Sequence, residues 1–171
     1  MAWTTRGLRG STLETLINMT NERYLAAGLA VVHKIPTPIT PVEQTPGTKV
    51  ITKAFYERKS TVDYIGVAAG LALCFDAKET SRDYLPLQNI HGHQIDFMEA
   101  FARQGGKAFL IVSFSRRGEC VVLPFAALRS FWLAYRNGGR ASIPRSAFDE
   151  SLLIEAAPGL PLDYLAKITA V

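Results

Sequence analysis

Three charged residues near the middle of the chain have the types and spacing needed to hydrolyse a phosphodiester bond. Asp76 and Lys78 end an apolar run that begins at Leu71, and side chains two positions apart on a strand point to the same face. Asp63 precedes Asp76 by thirteen residues, so a turn at Gly70 would return a second carboxylate to that point. Two carboxylates can hold Mg²⁺, which activates water, while the lysine stabilises the transition-state charge. The pattern predicts a metal-dependent hydrolytic site; the alternative is a surface ion pair at a strand end, which adds little to stability.

Glu14 has two interpretations. Ser11 and Glu14 have the spacing of a capping box that opens a helix, and in that position Glu14 needs no further function. Alternatively, the helix directs Glu14 towards the metal strand as a carboxylate beyond the direct ligands. The sequence leaves both open.

Two histidines and a glutamine lie ahead of another predicted helix. A zinc site would need two further ligands beside His91 and His93, and neither cysteine lies at a useful spacing. We therefore expect these histidines to cap the helix or to face phosphate. Gln94 offers a carbonyl oxygen that suits Mg²⁺, and its alternative is an ordinary residue of the first helical turn.

The composition is that of one globular domain. The chain has 171 residues, 48% of them apolar, and no run approaches the ~18 apolar residues of a membrane span. Nineteen basic against fifteen acidic residues give a net charge of +4, which permits a polyanionic partner without requiring one. The first ten residues contain arginines but no apolar stretch, which favours a cytoplasmic protein. Cys74 and Cys120 are predicted to be buried free thiols, with a disulfide as the alternative.

The order of the predicted elements indicates an α/β protein with a mixed central sheet flanked by helices. Apolar periodicity and the Gly and Pro positions define the boundaries. They predict a helix from Ser11 to Gly28, a strand over 29–34, a proline-rich extended segment over 35–48, strands over 49–61, 62–70 and 71–79, a loop over 83–89, a helix over 93–106, strands over 107–115 and 119–124, and a helix over 124–139. No structure is assigned to the C-terminal tail.

Basic residues occur in several clusters, each of which alone is typical of a solvated face. Together with the aromatic residues Phe55 and Tyr56, however, a proline-stiffened projection flanked by lysines predicts contact with nucleic acid. No GxGxxG, Walker, HExxH or GxSxG motif is present, so nucleotide-fuelled, zincin and serine-hydrolase functions lack support. The clusters are Arg6/Arg9, Lys49/Lys53, Arg58/Lys59 and Arg116/Arg117, followed by Arg136, Arg140 and Arg145.

Five short motifs resemble those of one known family, the RecU Holliday-junction resolvases of the PD-(D/E)xK nuclease superfamily. The likeness runs from about Arg9 to about Gly139. The motifs are Arg9-Gly10-x-x-Leu13-Glu14, His33-Lys34-x-Pro36-Thr37-Pro38, Ser60-Thr61-x-Asp63-Tyr64-x-Gly66, Asp76-Ala77-Lys78-Glu79-Thr80 and Pro86-Leu87-Gln88-Asn89-x-His91-x-His93-Gln94.

The resemblance implies a restriction-endonuclease-like fold with a protruding stalk, and a role for each matched residue. Thr61, Asp63, Asp76 and Gln94 fall where the family binds Mg²⁺ or Mn²⁺. Lys78 falls where it stabilises the transition state, and Glu14 matches the acidic residue of the first helix in the catalytic set. Residues 1–10 match a basic arm, residues 11–171 the nuclease domain, and residues 35–59 the stalk inserted into the junction. The implied DNA-binding residues are Arg6, Arg9, Lys34, Lys49, Lys53, Arg58 and Lys59.

Two positions depart from the family pattern. Val62 stands where the superfamily has proline, a substitution that the family tolerates. Asp76 stands where close relatives commonly carry glutamate, and its shorter side chain could shift metal preference or rate.

The predicted function is resolution of four-way DNA junctions by cleavage of two opposed strands. A two-fold homodimer would place one site at each strand. Further implied partners are other recombination proteins, at the nucleoid in the cytoplasm. The alternatives are a PD-(D/E)xK nuclease of another specificity, such as a restriction or repair enzyme, and a non-catalytic protein that binds junctions.

Overall fold

The computed structural model describes residues 12–36, 38–56 and 61–168. Within these residues the chain forms four α-helices and ten strands. In chain order they are α1 (Leu13–Ala26), β1 (Ala30–Lys34), β2 (Ile39–Gln44), β3 (Ile51–Tyr56), β4 (Tyr64–Ala68), β5 (Leu71–Thr80), β6 (Tyr84–Pro86), α2 (Gly92–Arg103), β7 (Lys107–Phe114), β8 (Glu119–Pro124), α3 (Phe125–Arg136), β9 (Ser142–Pro144), β10 (Leu153–Ile154) and α4 (Leu165–Ile168).

The centre of the molecule is a six-stranded sheet in the order β1-β4-β5-β7-β8-β10. Strands β5 and β7 are parallel, and the other neighbours in this sheet are antiparallel. The connection between β5 and β7 contains α2, as a parallel crossover requires. The prediction of a mixed sheet in an α/β fold is therefore confirmed.

The helices cover both faces of this sheet, and the alternation of side chains along β5 separates the two layers. Phe75 stacks on Tyr64 with ring centroids 4.8 Å apart, and the Tyr64 hydroxyl donates to Asn18 Oδ1 of α1 at 2.9 Å. The next residue, Asp76, points to the opposite face, where it accepts a hydrogen bond from Gln94 of α2. Helix α3 joins α2 on this side, since Arg129 pairs with Glu99.

The C-terminal tail, to which the sequence assigned no structure, packs against α1. Tyr164 is fully buried and donates a hydrogen bond to Asn21 at 2.5 Å. The Tyr24 hydroxyl donates to Asp163 at 2.7 Å. Tyr164 also meets Tyr24 edge to face and packs on Phe75 at a tilt, so the tail completes the aromatic core beneath β5.

Strands β2 and β3 form a two-stranded sheet of their own. Every residue from Pro41 to Phe55 is exposed, including the apolar side chains Val42, Ile51 and Phe55. The segment predicted to be extended thus includes half of an exposed hairpin. Strand β3 begins at Ile51 instead of Lys49; residues 57–60 lie outside the described part, and Thr61 follows it outside any strand.

Two sequence predictions about local structure were wrong. Helix α1 begins at Leu13 with Thr12 as its N-cap, where Thr12 Oγ1 accepts from the Thr15 N–H at 3.4 Å, so Glu14 does not occupy the capping-box position. The segment over 83–89, predicted to be a loop, contains β6 and a turn of 3₁₀ helix, because β6 pairs with β9 far along the chain.

Both cysteines are buried free thiols, as predicted. Burial raises the pKa of each thiol to about 12, so neither is reactive at neutral pH. No helix in the described ranges is long and apolar enough to cross a membrane.

Gly66 is predicted to be essential for the pairing of β1 with β4. A Cβ atom there would lie 2.4 Å from the Val31 carbonyl oxygen and 2.7 Å from Val32 Cα. Because these are backbone atoms of the paired strand, they cannot move aside without loss of pairing. Gly66→Ala should lower the free energy of unfolding by about 2–3 kcal/mol, as overpacking does, in urea denaturation. Gly92→Ala is the control, since no atom lies within 4 Å of its Cβ position, and an equal loss in both variants would contradict the explanation.

Candidate active site

The hairpin of β4 and β5 brings Asp63 and Asp76 together. Its two-residue turn has left-handed backbone at Ala69 (φ 49°) and Gly70 (φ 79°), the geometry that matches the twist of paired strands. The register places Tyr64 opposite Phe75, and therefore Asp63 beside Asp76. The two aspartates are linked by hydrogen bonds from backbone to side chain across the strands: the Asp63 N–H donates to Asp76 Oδ1 at 3.0 Å, and the Ala77 N–H donates to Asp63 Oδ2 at 2.9 Å.

Asp76 is a fully buried carboxylate with three hydrogen-bond donors. Besides the Asp63 N–H, Gln94 Nε2 donates to Asp76 Oδ2 at 2.8 Å, and the Lys78 ammonium forms an ion pair with the same oxygen. Lys78 is itself only 16% exposed. Since a buried charge without partners would be very unfavourable, this arrangement does not fit the alternative of a surface ion pair at a strand end.

Burial and the neighbouring charge of Asp76 oppose the ionisation of Asp63. The pKa of Asp63 is raised by burial and, next, by the negative charge of Asp76, while the Ala77 N–H and Lys78 act in the opposite direction. The pKa of the Tyr64 phenol is also raised, first by burial and then by the charges of Glu14 and Asp63. The site therefore has an excess of negative charge that a cation would relieve.

The oxygen-rich donor set fits a hard divalent cation. Asp63 and Asp76 supply carboxylate oxygens, which suit Mg²⁺ or Mn²⁺, and no sulfur or imidazole takes part in their cluster of described residues. Among the described residues no group of three or more His, Cys, Asp or Glu side chains has the arrangement of a metal site. The two aspartates are therefore the carboxylates that this cluster offers to such an ion.

The other predicted site residues lie around this pair. Thr61 is exposed and stands two residues before Asp63. Glu14 forms an ion pair with Lys34, and Lys34 is opposite Tyr64 in the register of β1 and β4, so this pair lies at the end of the sheet where Asp63 enters. The structure thus links Asp63, Asp76, Lys78 and Gln94 through hydrogen bonds and an ion pair, with Thr61 and Glu14 outside that group.

The histidines precede α2. His91 is the N-cap residue of α2, which agrees with the prediction that it caps this helix. Its ring stacks on that of His93 with centroids 5.4 Å apart. The His91 N–H donates to Gln94 Oε1 at 3.0 Å, a contact that the sequence pattern did not reveal.

The predicted DNA-binding residues are distributed over the exposed hairpin and its root. Lys49 is exposed, and Lys53 faces Glu43 across the hairpin at 3.7 Å. At the root, the Ile35 N–H donates to the Asp63 carbonyl oxygen at 2.8 Å. Arg6, Arg9, Arg58 and Lys59 lie outside the described residues.

The sequence did not predict the hydrogen bond that supports the site from the opposite face of the sheet. Asn18 and Tyr64 join α1 to the strand that follows Asp63, yet nothing in their local pattern indicates that they meet. The position of Tyr64, one residue after a candidate acid on an alternating strand, was the available signal that it faces the core.

The fold and the site define a class: α/β proteins that gather two carboxylates and a lysine at a sheet, as metal-dependent phosphodiesterases do. The model of the RecU family, Recombination protein U, matches residues 8–170, and the chain belongs to that family. The Holliday junction resolvase RecU of Levilactobacillus brevis is 43% identical over 170 residues, covering 96% of this chain and 85% of the relative. The protein of the same name from Lactococcus lactis is 45% identical over 150 residues, covering 85% and 69%.

Among solved structures, Hjc of Archaeoglobus fulgidus, a Holliday junction resolvase, aligns with a TM-score of 0.44 and 11% identity. The alignment covers 77% of this chain and 90% of that one.

Replacement of Asp63 by asparagine should stabilise the metal-free protein at pH 7. Because the pKa of Asp63 is raised on folding, the folded state binds a proton more tightly than the unfolded state, and stability is lost as pH rises through the folded value. The asparagine side chain has no charge to bury, so the advantage of Asp63→Asn should shrink as pH falls below the unfolded value of about 3.9. Urea unfolding in EDTA at pH 7 and below the unfolded pKa measures the difference in free energy of unfolding between Asp63→Asn and the unchanged protein. Asp96→Asn, at an exposed position, is the control. A stabilisation by Asp63→Asn that grows on acidification would contradict the charge argument.

Proposed function

We propose that this protein is a structure-selective endonuclease that resolves four-way DNA junctions by Mg²⁺-dependent hydrolysis on two opposed strands. The observation that carries the proposal is the cluster of Asp63, Asp76 and Lys78. The relatives' names supply the substrate, since those proteins are Holliday junction resolvases.

The residues of the cluster divide the chemistry between them. Asp63 and Asp76 would hold Mg²⁺, with Mn²⁺ as a substitute, and Thr61 would add a hydroxyl from the segment before Asp63. The bound ion would supply an activated water and polarise the phosphoryl oxygen. Lys78, held beside Asp76, would stabilise the charge on the scissile phosphate. The role of Glu14, now paired with Lys34, stays a prediction, as does any change in metal preference caused by Asp76 in place of glutamate.

The exposed hairpin supports a branched substrate. Lys49 and Lys53 place positive charge on a two-stranded projection whose apolar residues are also exposed. Such a projection can enter the open centre of a junction, where phosphates and unstacked bases meet. We propose that residues 35–59 act as a stalk of this kind and that the basic arm of Arg6 and Arg9 contacts the DNA. A nuclease of this kind would act on the nucleoid in the cytoplasm.

Two other functions use the same residues and are separated by substrate. A PD-(D/E)xK nuclease of another specificity would cut linear duplex as readily as a four-way junction. A non-catalytic protein would bind junctions without cutting them in Mg²⁺. The burial of Asp76 against Lys78 argues against the second, because a binding surface has no need of a buried charge cluster.

Asp63→Asn should abolish cleavage of a four-way junction in Mg²⁺, with a loss of about a thousandfold or more, the scale expected when a metal ligand is removed. Binding of the junction should change little, because the hairpin and the basic surface are intact. Cleavage is followed on denaturing gels and binding by mobility shift in Ca²⁺, with three-way and linear substrates beside the junction. Asp96→Asn, on the exposed surface of α2, should cleave normally. Retained cleavage by Asp63→Asn would contradict the assignment of Asp63 as a metal ligand.

We propose a homodimer that places one site at each of two opposed strands. The end of the sheet formed by β1 and β4 offers a surface for the dimer contact. Among the described residues β1 is an edge strand of the sheet. Its Val31 lies directly opposite Val67 of β4, and the two residues are 62% and 48% exposed. Exposed valines on an edge strand and on the strand beside it are typical of an interface.

Val31→Lys should therefore convert the dimer to a monomer in sedimentation at micromolar concentration. Cleavage of a junction should then give singly nicked products instead of paired cuts, since each site would act alone. Leu133→Lys on α3, at another exposed apolar side chain, is the control and should leave the dimer intact. A Val31→Lys variant that remains a dimer would exclude this surface.

A further inference from the structure

Gln94 does not offer its side-chain oxygen to the metal position. The residue is buried in the first turn of α2, and both ends of its amide are engaged. Gln94 Oε1 accepts from the His91 N–H at 3.0 Å, and Nε2 donates to Asp76 Oδ2 at 2.8 Å. The group that faces the carboxylate is therefore a donor.

The opposite orientation of this amide is unfavourable at both ends. If oxygen and nitrogen exchanged places, the NH₂ group would face the His91 N–H, donor against donor. The oxygen would then face Asp76 Oδ2, acceptor against acceptor, beside a buried charge. The two neighbours thus select one orientation, because the His91 backbone N–H can only donate and the carboxylate of Asp76, paired with the Lys78 ammonium, can only accept.

We propose that Gln94 is a positioning residue: its Nε2 group holds the Asp76 carboxylate in place, while its Oε1 group is reserved for the N-cap of α2. The proposal rests on the proposed metal centre at Asp63 and Asp76, and it differs from the role that family resemblance implies for Gln94, that of a metal ligand. It also couples the start of α2 to the middle of β5, because one side chain contacts both.

Gln94→Glu separates the two roles. The glutamate keeps an oxygen for the His91 N–H, so the cap of α2 is preserved, but it replaces the donor at Asp76 by a second carboxylate oxygen. Were Gln94 a ligand, glutamate would be a stronger oxygen donor for Mg²⁺, and the variant would cut with a lower half-saturating Mg²⁺ concentration and undiminished turnover. For a positioning donor we expect turnover at saturating Mg²⁺ to fall by about tenfold or more, as for a lost charged hydrogen bond, without recovery at higher Mg²⁺.

Three measurements without DNA test the contact itself. In EDTA, Gln94→Glu should lower the melting temperature by about 3 °C or more, whereas Gln104→Glu, the same change at the exposed far end of α2, should shift it by less than about 1 °C. Adding Asp76→Asn to Gln94→Glu restores a donor and an acceptor across the contact, so a double-mutant cycle should show favourable coupling. The side-chain NH₂ protons of Gln94, identified by their loss in Gln94→Glu, should exchange slowly with solvent and remain protected when Mg²⁺ is added, because Nε2 keeps its bond to Asp76.

The outcomes distinguish this proposal from the function on which it rests. If the wild-type protein cuts no junction, the proposed function is wrong. The double-mutant cycle in EDTA would still measure the coupling between Gln94 and Asp76. Retained turnover with a lower half-saturating Mg²⁺ concentration in Gln94→Glu, or loss of the solvent protection of the Gln94 NH₂ protons when Mg²⁺ is added, would overturn the positioning role. Absence of coupling in the cycle would overturn it as well.

Discussion

The site depends on one buried charge, the carboxylate of Asp76. An ionised carboxylate inside a protein is tolerated only where donors replace the water that it has lost. Its three donors come from different places: the Asp63 backbone at the start of β4, Lys78 along β5 and Gln94 at the start of α2. Movement of any one of these elements away from Asp76 would remove one of the three donors that compensate its buried charge, so this one side chain favours the present arrangement of all three.

The same two strands that carry the acids also carry the core. Tyr64 follows Asp63 and Phe75 precedes Asp76, and because strand side chains alternate, both rings face α1 on the other side of the sheet. The C-terminal segment closes this aromatic layer through Tyr164. The β4–β5 hairpin thus carries core rings on one face and the acids on the other. One strand register both stacks Tyr64 on Phe75 and places Asp63 beside Asp76.

The sequence revealed those features that depend on neighbouring residues. The period of two along β5 placed Asp76 and Lys78 on one face, and the glycine at the turn returned Asp63 to them. Features that depend on distant partners could not be read in this way. Strand β6 exists because β9 pairs with it, and α1 begins at Leu13 because Thr12 caps it while Glu14 meets Lys34 of β1.

Gln94 illustrates a different limit. Residue type alone indicates an amide, with both an oxygen and a nitrogen to offer, and the oxygen was predicted to face the metal. Which end faces the charge is decided by the His91 N–H, a backbone group without any sequence signature.

The exposed hairpin of β2 and β3 begins next to the first acid of the site. The Ile35 N–H donates a hydrogen bond to the carbonyl oxygen of Asp63. The segment that leads into the hairpin is therefore attached to the main chain of the first acid. A displacement of residue 35 that keeps this hydrogen bond must also displace the Asp63 peptide.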